Sequence, residues 1–260
     1  MITYKLKRLV TVAEVWYSGD APAGADIVHY WYFPDPSTGA DEFTTIWIDL
    51  SKPQDELLSD MNKSTRHHIR KAAEYELRYD YWHPDTAAQL SEFIDFSNAS
   101  NAAKDLGPVD ARWLRRAAEC GALDLSRVMD RDGSPLVWHA HYREASHARQ
   151  THTASVFRSR PDSDYRTFLG RANRWGWWED MKRFQREGIQ LYDFGGWYSG
   201  TENKELLAVN FFKEGFGGRI VKTYNYTQAK TALGRLYLLA GRLRRRHPPP
   251  REPMEAAGEP

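Results

Sequence analysis

A single cysteine, Cys120, rules out an internal disulfide and any cysteine-ligated metal cluster. That scarcity fits a reducing compartment, and Cys120, just before Gly121 at an expected helix end, reads as a small buried residue and not a nucleophile. No apolar run approaches the roughly 20 residues of a membrane-spanning helix. The N-terminal stretch MITYKLKRLVTVAEVWYSG has no continuous apolar segment of signal-peptide type. These absences make a cytoplasmic protein the expectation. Formal net charge is only +1, too little for a strongly electrostatic nucleic-acid binder unless charge is segregated locally. There is no Gly-x-Ser-x-Gly, no Walker loop and no internal repeat, which removes several hydrolase and nucleotide-dependent chemistries.

What is present is an ordinary globular composition, 27% charged and 41% hydrophobic, over 260 residues. That length suits one large domain, or one domain and part of a second. Aromatic residues reach 13%, with ten tryptophans, enough for a large core or for an aromatic-lined cleft.

The first 50 residues alternate β-branched and aromatic positions between Gly/Pro/Asp turns and predict strands. SKPQDELLSDM then matches a capping box at Ser51 and Gln54, and KSTRHHIRKAAE predicts a second helix. DTAAQLSEFIDFSNAS places Leu90, Phe93, Ile94 and Ser97 at helical spacing behind Asp85 as N-cap. VDARWLRRAAEC predicts a further helix ending at Gly121. LDLSRVMD and SPLVWHAHYREA flank the turn DRDG as a hairpin, and HARQTHTASVF adds a strand. A long helix to Gly188 follows, in which Gly170 and Gly176 imply close approach of a neighbour. Strand IQLYDF, helix ENKELLAVNFFKEG, strand GRIVKTYNY and a basic helix TALGRLYLLAGRLRRR complete the order. The Pro-rich tail, residues 247–260, is expected to be disordered. Strand–strand–strand–helix–strand–helix–strand from residue 122 predicts an α+β fold with a mixed sheet, not a regular β-α alternation.

Two segments carry paired glycines beside aromatics: GIQLYDFGGWYSG, residues 188–200, and VNFFKEGFGG, residues 209–218. Between them stands Lys213. At a helix end it either complements the macrodipole or, with its stem between Phe212 and Phe216, meets an oxyanion or phosphate. Asp193 either caps the Gly195–Gly196 bend as an Asx-type turn or orients an acceptor amine; strand alternation puts it on the face opposite Tyr192. Lys63, Arg66 and Arg70 share a helical face, as a solvated basic stripe or as a grip on substrate phosphates. His139 and His141 alternate on one strand with no third ligand in view, so no metal is expected and His139 is a candidate general base.

The order REGIQLYDFGG, loop, helix, FFKEGFGG, strand resembles the FemAB-type aminoacyltransferases and the BioF2-like acetyltransferases of the Gcn5-related N-acyltransferase superfamily. The matching positions are Gly188, Tyr192, Asp193, Phe194, Gly195, Gly196, Phe212, Lys213, Phe216, Gly217 and Gly218. A second match, Arg66, Ile69, Arg70, Lys71 and Ala72, lies about 120 residues upstream. The resemblance implies an acyltransferase-like domain over residues 51–228, a β-rich remnant of a second such domain over 1–50 and a separate basic helix over 229–246. It implies transfer of an acyl or aminoacyl group to an amine: an amino sugar, a cell-envelope precursor or an amino acid. Lys213, Asp193 and His139 would be the catalytic groups. Tyr192, Gly195, Gly196, Trp197, Tyr198, Phe212, Arg66, Arg70, Arg158 and Arg160 would hold the donor or substrate. FRSRPDSDYRTFLG lacks the Gly-x-Gly loop that takes the pyrophosphate in acetyl-CoA users. The expected donor is therefore a co-substrate, whether aminoacyl-tRNA, acyl-carrier protein or another acyl-CoA, with no tightly bound cofactor. The competing expectation is a non-catalytic module that docks its basic helices on RNA or at the inner face of a membrane.

Overall fold

A computed structural model describes residues 1–17, 19–84, 87–156 and 162–244. Four strands come first: β1 (Ile2–Leu6), β2 (Val10–Trp16), β3 (Ile27–Phe33) and β4 (Asp41–Asp49). Helices α1 (Gln54–Asp60) and α2 (Lys63–Ala72), strand β5 (Arg78–Trp82) and helices α3 (Ala87–Ala102) and α4 (Ala111–Glu119) follow. The hairpin is β6 (Leu123–Met129) with β7 (Pro135–Glu144), and β8 (His147–Ser155) extends it. Then come α5 (Ser163–Arg186), β9 (Leu191–Gly196), α6 (Lys204–Glu214), β10 (Arg219–Ala229) and α7 (Ala232–Arg244).

Local chemistry accounts for most boundaries. Asn62, Asp110, Asp162 and Asn203 each accept backbone N–H groups as N-caps. The capping box expected at Ser51 and Gln54 does not form. The Ser51 hydroxyl and N–H turn back to Asp49 at 2.6 and 3.0 Å, and α1 starts after Pro53 without a side-chain cap. Cys120 is exposed, not buried, because it sits at the open end of α4. Gly176 brings α5 onto the sheet: a Cβ there would lie 2.7 Å from Val128 Cγ2. The expected N-cap Asp85 and the tail 247–260 lie outside the described residues.

All ten strands join one mixed sheet in the order β1-β2-β3-β10-β4-β9-β8-β7-β6-β5, with β2–β3 and β8–β9 parallel and the other pairs antiparallel. β10 lies between β3 and β4, and β4 bonds to β9, so ladder bonding runs unbroken across the division expected at residue 50. The sheet curls strongly. Trp16 on β2 stacks on Tyr142 of β7 with centroids 3.9 Å apart, although the strands are six places apart in the sheet. At roughly 4.8 Å per place a flat sheet would part them by about 29 Å.

Two cores follow from this curl. Ile46, Ile48, Tyr192 and Phe194 face α1, α2, α5 and α6. On the other face Trp16, Tyr32, Trp138 and Tyr142 pack with α3 and α4. The β8–β9 ladder covers only His147–Leu191, Ala148–Tyr192 and Arg149–Asp193. Beyond Asp193, β9 parts from β8 while remaining bonded to β4 as far as the Trp197 N–H.

Candidate functional site

The splay opens beside a cavity of about 430 Å³ between the two halves of the curled sheet. Trp16, Trp31, Tyr32 and Phe43 form one aromatic wall, and Trp113 of α4 closes it. Gly196, Trp197 and Tyr198 form the rim after β9, and Leu206, Val209, Asn210 and Lys213 of α6 form the opposite wall. Asn210 fixes this rim: its Nδ2 donates to the Tyr198 carbonyl at 2.7 Å, and its Oδ1 accepts the Tyr198 N–H at 2.9 Å.

Lys213 projects to the cavity and donates to the Gly196 carbonyl at 2.9 Å. It is 5% exposed, so it is a buried cation and not a solvated helix-end lysine. Phe212 and Phe216 do not line the cavity; their rings pack on Trp177 at 4.9 and 5.7 Å in the α5–α6 core.

Behind the cavity wall, Asp193 is fully buried and heavily tied. Its Oδ1 accepts the Gly195 N–H at 2.9 Å, the Asx-type turn considered above, and Gly195 has φ 83°. The Thr45 hydroxyl donates to the same oxygen, and the Tyr17 hydroxyl donates to Oδ2 at 3.0 Å. Arg149 Nη1 lies 2.9 Å from Oδ2 across the parallel β8–β9 pair. Asp193 therefore stands one layer behind the cavity, and the group it presents there is Arg149. The Arg149 guanidinium lies 3.8 Å over the Tyr32 ring.

Tyr17 and Tyr32 have φ of 61° and 59°, uncommon for aromatic residues. At Tyr32 the displaced N–H is taken by Asn225 Oδ1 at 2.8 Å, where the β10–β3 register shifts. Such strain persists only where surroundings over-determine it, and here both strained tyrosines point into the network around Arg149. Burial, followed by the Asp193 charge, holds the Tyr17 hydroxyl well above its ordinary range. Glu14, Asp110 and His152 also line the cavity. Glu14 accepts from Trp113 Nε1 at 3.1 Å, and burial raises its pKa. Burial pushes His152 down to about 4.

His139 is placed elsewhere. Its Nδ1 meets Asp180 at 2.6 Å and its Nε2 meets Asn173 at 3.0 Å, with Trp177 stacked on the ring at 4.9 Å. Saturated beneath α5, it does not line the cavity. Tyr192 is fully buried on that same face, with His141 Nε2 at 3.0 Å from its hydroxyl. Arg66 closes the end of α1, donating to the Ser59 carbonyl at 3.0 Å and to that of Met61, and Arg70 lies beside His67 on exposed α2. Neither lines the cavity, so the structure does not bring them to it as the expected grip on donor or substrate. Arg158 and Arg160 lie outside the described residues. Among the described residues, no group of three or more His, Cys, Asp or Glu comes together to hold a metal ion.

No protein-family model matches the chain, and no curated protein does. Among solved structures it is similar to FemX, at 14% identity over 91% of this chain and 85% of that one, with a TM-score of 0.64. A weaker likeness is to the C-terminal domain of a putative lysylphosphatidylglycerol synthetase from Agrobacterium fabrum, at 13% identity over 85% and 73% of the two chains, TM-score 0.49. Another is to L-PGS from Bacillus licheniformis, at 14% identity over 83% and 72%, TM-score 0.48. The protein thus has a FemX-like fold, with the mixed α+β sheet flanked by helices that its element order predicted.

Proposed function

We propose that the protein is an N-acyltransferase that moves an acyl or aminoacyl group from a thioester or aminoacyl-tRNA to an amine held in the aromatic cavity. The observation that carries this reading is the meeting of two buried cations, Lys213 and Arg149, with the splayed end of β9 in an aromatic-rich wall. The donor's acyl arm enters at the splay beside Gly195 and Gly196. A neutral amine attacks the acyl carbonyl, its nitrogen–carbon bond forms, and the oxyanion develops toward Lys213 and Arg149. Cations fixed in a water-poor wall stabilise such charge without reorganising. The bond to sulfur or ribose oxygen then breaks, and Glu14, a buried carboxylate of raised pKa on the same cavity, takes the amine's proton. The acceptor is an amino sugar, a cell-envelope precursor or an amino acid.

The test offers charged tRNA, acyl-CoA and acyl-carrier protein in parallel to a mixture of amines and searches for products by mass spectrometry. A product that the parent forms and Lys213→Ala does not is the expected result. Absence of product from every donor, with the protein folded, sinks the proposal.

A second reading, peripheral docking on an acidic membrane, draws on α7. That helix packs Tyr237 and Leu238 inward but leaves Leu233, Leu236 and Leu239 at 45%, 66% and 55% exposure, and the sequence that follows them, GRLRRR, is basic. No described helix is long and apolar enough to cross a membrane. Salt-sensitive binding to anionic vesicles without turnover of any donor would favour this reading over catalysis.

A further inference from the structure

Among the described residues two arginines are buried, and each faces a carboxylate: Arg149 meets Asp193 at 2.9 Å and Arg183 meets Asp124 at 3.1 Å. Arg174 has no such partner. Its guanidinium lies 4.4 Å over the Phe212 ring and its Nη1 donates to the Gly170 carbonyl at 3.2 Å, while its Nε is buried without a hydrogen-bond partner. Burial alone lowers its pKa, to about 10. At Arg183 the same burial penalty is outweighed by Tyr79 and Asp124, and the pKa is driven up. One turn before Arg174, Arg171 donates to the Tyr75 hydroxyl and also keeps a buried, unpartnered Nε. Across the seam, His68 of α2 has a buried, unpartnered Nδ1, and its pKa is lowered by burial, then by Arg174 and Arg171.

A cation partly withdrawn from water without a counter-charge is costly, and such charges are normally paired. Here one partly buried guanidinium lacks a counter-charge and keeps an unpartnered Nε, a second is half satisfied, and an imidazole beside them has an idle nitrogen. Several N–H donors of this kind suit a multi-oxygen anion, and the guanidinium fork suits phosphate in particular.

We propose that the seam between α2 and α5, at His68, Arg171 and Arg174, binds a phosphate group of the acyl donor. This rests on the acyltransferase reading. Each donor class considered there carries a phosphate ester: the pantetheine arm of acyl-CoA, the prosthetic arm of acyl-carrier protein, or the 3′-terminal backbone of tRNA. The seam also adjoins the cavity, because Arg174 touches Phe212 and the next residue, Lys213, lines the cavity from the same helix. Phosphate and acyl carbon would thus lie on adjoining faces of α6, a separation on the order of one helix diameter, about 10 Å.

The experiment uses the full chain in thermal melts with inorganic pyrophosphate, coenzyme A or uncharged tRNA, each against sodium chloride at equal ionic strength. The parent's Tm rises saturably with at least one of these probes, and the probe with the lowest half-saturation identifies the donor class. In Arg174→Met the Tm without ligand matches or exceeds the parent's, because the uncompensated charge is gone, and the ligand-induced rise is lost. If that variant does not fold, Arg171→Gln and His68→Gln serve instead, each expected to raise the half-saturation concentration at least tenfold. No saturable rise in the parent, or a rise retained in these variants, overturns the site. A saturable rise in a protein that transfers nothing leaves the site standing and removes only the acyltransferase reading.

Discussion

Asp193→Asn tests whether the buried carboxylate is the support on which the cavity's cation stands. In the parent Asp193 receives the Gly195 N–H, the Thr45 and Tyr17 hydroxyls and the Arg149 guanidinium, all out of water. An asparagine keeps the shape but leaves the Arg149 charge uncompensated, and its amide nitrogen cannot accept from Tyr17. Removing one partner of a buried ion pair costs about 3–5 kcal/mol. A chain of this size loses about 2–4 °C of Tm per kcal/mol, so the predicted drop is roughly 6–20 °C. The companion is the double variant Asp193→Asn with Arg149→Met, which removes both charges and fills the space with an apolar chain. It should regain at least half of the lost Tm, the non-additivity expected of residues in direct contact. Both melts are read by tryptophan fluorescence at pH 7.5. A single variant within 2 °C of the parent, or a double variant whose loss is the plain sum of the singles, would refute the idea that Asp193 serves mainly to hold Arg149.

Lys213→Ala is predicted to lose about 2–4 kcal/mol of transition-state stabilisation in kcat/KM and, because Lys213 is buried and bonded to Gly196, about 1 kcal/mol of stability as well; Lys213→Arg should rescue poorly, and near-parental turnover in the alanine variant would return Lys213 to a packing role. For Gly176→Ala, helix propensity favours alanine by about 1 kcal/mol, but the new Cβ would stand 2.7 Å from the stiff Val128 side chain; overpacking costs about 1–3 kcal/mol, so the Tm should fall, and a rise would show that α5 lifts freely from β6. Burial pushes His141 from 6.5 down to about 3, so the unfolded chain takes up this proton first: the stability is fully present above pH 6.5 and is lost as pH falls toward 3, by about 1.4 kcal/mol per pH unit for this group. Melts between pH 7.5 and 4.5 should show the decline, and His141→Gln should flatten it; an unchanged slope in that variant would assign the loss to other groups.

Most of the fold was legible because it is written in local patterns. Element order from β2 onward and the DRDG hairpin depend on neighbours in the chain, and both are found. The Ser51 cap failed for an equally local reason: Asp49, two residues back, competes for the same hydroxyl and N–H. The half of the site carried by the β9–α6 motif, Gly196, Trp197, Tyr198 and Lys213, was also legible.

The other half was not, because it is assembled by sheet order and curl. Arg149 meets Asp193 only through the parallel β8–β9 register, and nothing in HARQTHTASVF distinguishes it from a solvent-facing strand arginine. Trp16, Trp31 and Glu14 reach the cavity only because β2 and β3 fold back over β7–β9. The excess of aromatics left a large core and a lined cleft as alternative readings, and the structure uses them for both: Trp177 and Phe212 fill the α5–α6 core, while Trp31 and Trp197 face the cavity. His139 shows the converse. Alternation on β7 puts His139 and His141 on one face, but only packing reveals that this face is roofed by α5, where Asp180 and Asn173 consume both nitrogens of His139. A titratable side chain in a strand becomes a candidate for chemistry only when the element covering its face is known. That element here is set by the order of ten strands, a property no short motif contains.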